Sequence, residues 1–161
     1  MCIRDSHKLT TNPAYFLLAG LGWPGLSGRE RRAVTEAEEM LDFVGLSGFG
    51  SRIVQGLPFG ALKAVELARA LVAKPRLLLL DEPAGGLNVA EVGELGRLIK
   101  RINQELRLTV LVVEHHMNLV MAISDKVVVL DFGCKIAEGT AREVQADKAV
   151  IEAYLGADED D

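Results

Sequence analysis

Apolar positions along the chain follow two patterns, and their order sets the expected architecture. Ala33, Val34, Ala37, Met40, Leu41 and Val44 recur at the 3.6-residue period of one helix face. Ser27-Gly28-Arg29-Glu30 ahead of them reads as a capping box, with Ser27 as N-cap, and Gly45 is the expected stop. Gly48 to Gly56 is a loop. Leu62 to Val72 predicts a second helix, ending before Lys74-Pro75. Arg76 to Leu80 lacks polar alternation, which suits a parallel strand buried on both faces. Asn88, with Glu91 three residues on, caps a helix whose buried stripe is Val92, Leu95, Ile99 and Ile102. Thr109 to Val113 predicts a second buried strand, Met117 to Ile123 a short helix and Lys126 to Leu130 a third strand. Asp131-Phe132-Gly133 then turns the chain into Cys134 to Glu138 as a hairpin. Thr140 and Glu143 form another capping box, opening one or two short helices before an acidic tail.

Strand, helix, strand, helix, strand is the order of an α/β protein with a mainly parallel sheet and right-handed crossovers. In such sheets ligands gather beyond the carboxyl ends of the strands. Asp81-Glu82 and Glu114-His115 both fall there. Four zones are expected. Residues 1–6 carry no placeable pattern and read as a truncated or mis-assembled start. Residues 7–73 are a Gly-rich, partly helical zone, 74–139 the sheet-bearing core, and 140–161 the terminal helices and tail.

Composition narrows the function. The 161 residues are 49% apolar and 25% charged, which is a globular balance. A net charge of −5 with no basic stripe argues against nucleic acid as a partner, and 5% aromatics argues against a base-stacking surface. Cys2 and Cys134 are far apart and lack companion ligands, as free thiols of a reducing compartment do. No run reaches the roughly 20 apolar residues of a membrane span. The longest candidate, Ala14 to Trp23, is broken by Gly20 and Gly22.

The chemistry concentrates in four segments. Asp81 and Glu82 end a four-leucine run, where two carboxylates need a cation or donors if they are to be buried. One can hold Mg²⁺ through water, and the next can polarise an attacking water. Taken alone, the pair reads equally well as a solvated strand end. Gly85-Gly86-Leu87-Asn88 follows directly, and its glycines permit close backbone approach. His115 ends the next strand, where an imidazole can donate to developing phosphoryl charge. A lone histidine there is otherwise structural, and His116 is assigned that plain role. Leu57-Pro58-Phe59-Gly60-Ala61 leads into a helix, and Gly60 lets backbone N–H groups approach a phosphate.

Together these segments resemble the ABC ATPase family. Leu57 to Ala61 with the helix after it looks like the signature motif, and Leu77 to Pro83 like the Walker B strand with the catalytic glutamate. Gly85 to Asn88 looks like the D-loop and His115 like the switch histidine. The Pro-Phe-Gly form of the signature, Asp81 to Asn88, Val113 to Met117 and the ending Val150 to Gly156 resemble the ATPase subunits of branched-chain amino-acid transporters. The resemblance implies a partial P-loop NTPase fold with ATP and Mg²⁺ as ligands. It implies Glu82 and His115 as catalytic residues and Asp81 at the metal, through water. It also implies Pro58, Phe59, Gly60, Ala61, Gly86 and Asn88 at the nucleotide. The implied partners are a second ATPase subunit and a membrane permease, and the implied location is cytoplasmic, on the inner face of the cell membrane.

Three departures qualify the resemblance. Pro58 stands where the signature carries serine, Ala61-Leu62 replace its polar tail, and Asn88 replaces the D-loop aspartate. No Gly-x-x-x-x-Gly-Lys-Ser/Thr occurs in the 161 residues, and Gln55 and Gln104 sit in the wrong places for the family's glutamine loop. The expectation is a chain that starts after both, inactive in isolation. Two other readings stay open: a non-enzymatic fragment that only offers its signature face, or an ABC ATPase of another system.

Overall fold

The computed structural model describes residues 24–50 and 56–155. The expected irregular start, the Ala14 to Trp23 run, the acidic tail and part of the Gly48 to Gly56 loop lie outside the described residues.

Helix α1 (Pro24–Phe43) begins at Pro24, so Ser27 is inside the first turn and is not the N-cap. Proline suits the first helical position, because its fixed φ is helical and its missing N–H would have had no partner there. The other end is as expected. Gly45 takes φ +85°, Leu46 N–H donates to the Leu41 carbonyl at 2.7 Å, and Gly45 N–H donates to Asp42 at 3.0 Å. Those paired bonds close a Schellman motif. Helix α2 (Phe59–Val72) starts at Phe59, three residues before Leu62, with Pro58 as N-cap. Ala33, Ala37 and Leu41 are the buried face of α1, and Val44 just past its end is buried as well.

Strand β1 (Leu77–Asp81) pairs in parallel with β2 (Thr109–Val113), from Leu77 opposite Thr109 to Asp81 opposite Val113. Helix α3 (Val89–Leu106) joins them and buries Leu95, Gly96, Ile99 and Ile102. Asn88 and Glu91 form the expected capping box. One core cluster gathers Leu41, Val44 and Leu46, then Leu67, Ala68 and Leu71, then Leu78, Ile99, Ile102 and Leu119. It therefore runs from α1 through to helix α4 (Met117–Ile123).

The expectation that both strands are buried on both faces is corrected. Leu78 is buried, but Leu77, Leu79, Leu111 and Val113 remain 50–65% exposed. Side chains alternate across a strand. The inward set meets the core, and no described element covers the outward set.

The third strand also departs from expectation. β3 (Val127–Asp131) does not extend the parallel pair; it forms a separate antiparallel sheet with β4 (Cys134–Gly139). Phe132 and Gly133 connect them with φ +43° and +81°. Positive φ at both central residues is the type I′ pattern, whose twist suits a tight hairpin. Lys126 and Lys135 both bind the Glu138 carboxylate on this hairpin. Helices α5 (Ala141–Gln145) and α6 (Lys148–Leu155) close a second cluster of Val127, Val129, Ala137, Val144 and Val150. The Thr140–Glu143 capping box is present. Val120 and Met121 of α4 pack on this second cluster, so α4 links the two.

Candidate functional site

Parallel pairing brings the carboxyl ends of β1 and β2 side by side, with Asp81 opposite Val113. Glu82 N–H donates to the Val113 carbonyl at 2.9 Å, extending the ladder by one bond. Glu82 itself has φ +43°, a left-handed conformation that costs a non-glycine residue energy. That twist turns its side chain out of the strand's alternation. Glu82 Oε1 lies 3.6 Å from His115 Nδ1, and both side chains are well exposed. The Asp81 carboxylate is exposed and has no ion-pair or hydrogen-bond partner among the described residues.

Glu114 holds this corner together. Its side chain is closed to solvent. One oxygen accepts from Ala84 N–H at 2.7 Å. The other accepts from His115 N–H at 3.1 Å and His116 N–H at 3.3 Å, and meets His116 Nδ1 at 3.1 Å. Burial pushes the carboxyl's pKa up, but the donors from Ala84, His116 and His115 outweigh it and hold the group below its ordinary value. Sequence reasoning gave Glu114 no role beyond a strand-end carboxylate and gave His116 none. The available hint was the position of Glu114 at the end of β2, level with the turn after β1.

The turn after Glu82 is built from two bonds, Gly85 N–H to the Glu82 carbonyl and Leu87 N–H to the Ala84 carbonyl. Gly86 takes φ +79°, and a Cβ there would come within 2.9 Å of Phe59 Cε1. The glycine is required twice, by conformation and by the ring against it. Phe59 thereby touches Gly86, so the α2 start and the loop before α3 are in contact. A Cβ on Gly60 would lie 3.3 Å from Glu91 Oε1. Asn88 accepts from Glu91 N–H at 3.0 Å, and Asn88 N–H donates to Glu91 at 2.9 Å. The Asn88 side-chain oxygen is thus committed to capping α3. No side chain caps α2, so its first N–H groups, at Phe59, Gly60 and Ala61, keep the donor capacity of a free helix start.

The expected residues therefore fall into two groups. Asp81, Glu82 and His115 stand at the sheet end, with Glu114 beneath them. In the other, Phe59 and Gly60 lie against Gly86 and Glu91, with Pro58 and Ala61 flanking them in the chain and Asn88 capping α3. Ala84 joins the groups, tied to Glu114 through its N–H and to Leu87 through its carbonyl.

A family model described as ABC transporter matches residues 5–85. The chain belongs to the ABC transporter family. A second, described as branched-chain amino acid ATP-binding cassette transporter, matches residues 134–160. The high-affinity branched-chain amino acid transport ATP-binding protein BraF of Pseudomonas aeruginosa is 40% identical over 157 residues, which are 97% of this chain and 60% of that protein. LivG of Escherichia coli K12, a protein of the same description, is 38% identical over 133 residues, 83% of this chain and 52% of LivG. This chain thus spans between half and two thirds of the length of these relatives. A crystal structure of an ATP-binding cassette of an ABC transporter, in its ADP conformation, superimposes with a TM-score of 0.69 at 29% identity. The match covers 76% of this chain and 49% of that one. The fold is accordingly that of an ABC ATPase domain, present in part.

Proposed function

We propose that this chain is the later portion of the ATP-hydrolysing subunit of an ABC importer for branched-chain amino acids. The observation that carries the reading is the Glu82–His115 pair, 3.6 Å apart at the adjoining carboxyl ends of two parallel strands. Beside it stands the unengaged Asp81 carboxylate.

Each residue then has a task. Glu82 takes the proton of the attacking water, as a general base must reach it directly. His115 donates to the γ-phosphate oxygens, where negative charge develops. One free carboxylate at a strand end fits a Mg²⁺ that keeps most of its water, and Asp81 would hold it through such a water. Mg²⁺ there would neutralise charge on the β- and γ-phosphates. Glu114 positions His115 by fixing its backbone, and positions Glu82 by fixing the turn that follows it. The N–H groups of Phe59, Gly60 and Ala61 face a nucleotide held by a second ATPase subunit, with Pro58 ending the approach and Gly86 and Asn88 alongside. Pro58 and Ala61 bring no hydroxyl, so this contact rests on backbone donors.

The phosphate loop is absent from the 161 residues. On this reading it belongs to the part of the relatives' length that this chain does not span. Residues 7–73 then couple nucleotide closure to a membrane permease, 74–139 carry hydrolysis and 140–161 form the subfamily-specific end. No described helix is long and apolar enough to cross a membrane, which fits a subunit held at the inner face by its permease.

The match at residues 134–160 supports amino-acid import over other cargo. Uptake of radiolabelled leucine in cells lacking the gene tests it. Loss of high-affinity uptake is expected, and unchanged uptake would remove the amino-acid reading. Purified chain should turn over ATP negligibly. A family-like rate, abolished by Glu82→Gln, would show that it needs no separate phosphate loop.

A further inference from the structure

We propose that Glu114, His115 and His116 form a binding site for a divalent transition-metal cation of zinc type. One ligand atom from each residue lies within 4.8 Å of the other two. His116 Nδ1 and Glu114 Oε2 are already 3.1 Å apart. Tetrahedral zinc with bonds of about 2.0–2.2 Å sets its ligand atoms roughly 3.3–3.5 Å apart, so this pair is close to the needed bite. A cation would sit between these two atoms, with the imidazole proton of His116 on Nε2. The His115 ring lies 4.6 Å from the His116 ring, centroid to centroid, at a 35° tilt. His115 is well exposed and, among the described residues, makes no hydrogen bond through its ring beyond its approach to Glu82, so it can close over the third position.

The surroundings favour a held cation over a loose pair of surface histidines. Backbone N–H groups of Ala84, His115 and His116 fix the Glu114 carboxylate, which is closed to solvent. A ligand oriented in this way loses little freedom on binding. Two nitrogens and one oxygen suit zinc, nickel or copper, and do not suit magnesium or calcium, which prefer oxygen alone. The site is therefore chemically distinct from the magnesium position at Asp81. The competing structural reading is a plain hydrogen bond in which His116 caps the turn onto Glu114.

Isothermal titration of ZnCl₂ into the full 161-residue chain separates the two. Cys2→Ser and Cys134→Ser are included so that thiols do not compete. One equivalent of zinc is expected to bind at pH 7.5. His115→Ala and His116→Ala should each weaken it by at least about tenfold. Binding should also fade on acidification, because protons compete with a cation for its ligand atoms. His115→Ala is the safer variant, because that ring is well exposed, and circular dichroism checks that both variants stay folded. No saturable binding, or binding that survives the double His115→Ala/His116→Ala change, would overturn the proposal. The titration measures no turnover, so its outcome is independent of the ATPase reading.

Discussion

The Glu114 carboxylate accepts the Ala84 N–H at 2.7 Å across 30 residues of sequence, joining the end of β2 to the turn after β1. The same carboxylate fixes the His115 and His116 backbone. Through this one group, the segment bearing Glu82 and the segment bearing His115 are held in a single geometry.

Glu114→Ala should therefore act on stability and on the site together. It strands the part-buried Ala84 and His116 donors, at a cost of about 1–3 kcal/mol, while the exposed His115 N–H can turn to water. The charged form of Glu114 is also linked to pH. Its folded pKa lies below the ordinary value of 4.5, so the unfolded chain binds the proton more readily. Its contribution is full above about pH 4.5 and is lost as pH falls below it. Glu138, held down to about 2 by Lys126 and then Lys135, and Glu143, held down by Thr140, act in the same direction. Urea unfolding at pH 7 and pH 3 should show a smaller pH difference for Glu114→Gln than for the native chain. Equal differences would separate Glu114 from the acid response.

Gly86→Ala places a methyl 2.9 Å from the Phe59 ring at a φ of +79°. Strain and overpacking together predict a loss of about 1–3 kcal/mol. Phe59→Ala in the same chain should recover part of it by opening the space. A double-mutant cycle with no coupling between the two positions would contradict the contact.

Leu77, Leu79, Leu111 and Val113 make one exposed apolar face on the parallel pair. Fully burying such a side chain is worth about 1.5–3 kcal/mol, so the face favours any apolar cover. The chain alone should bind an apolar dye such as anilinonaphthalene sulfonate and self-associate. Leu79→Lys should reduce both without lowering helix content. Equal dye binding by the variant would place the apolar surface elsewhere.

Local chemistry made much of this legible from the sequence. Asn88–Glu91 and Thr140–Glu143 are capping boxes whose partners are three residues apart, and both formed. The stripe Leu95, Ile99, Ile102 needed only the helical period. The nearness of Glu82 and His115 followed from two parallel strands ending level. What escaped depends on distant or missing neighbours. Burial of Leu79 and Leu111 is decided by what covers the sheet, which no periodicity records. The β3–β4 hairpin was legible at Asp131-Phe132-Gly133, but its separation from the parallel pair was not, because strand order records no choice of sheet. The Glu114–Ala84 bond spans a helix and a strand, and the Phe59–Gly86 contact joins a helix start to a distant loop. The Ser27 cap failed because Pro24 offered an earlier and better start.

If Glu82 supplies the base for ATP hydrolysis, Glu82→Gln in the full cassette that carries this sequence will show it, with ATP binding and steady-state turnover measured on the same preparation. Binding should persist while turnover falls by about 100-fold or more. Turnover at the native rate with bound ATP would contradict it.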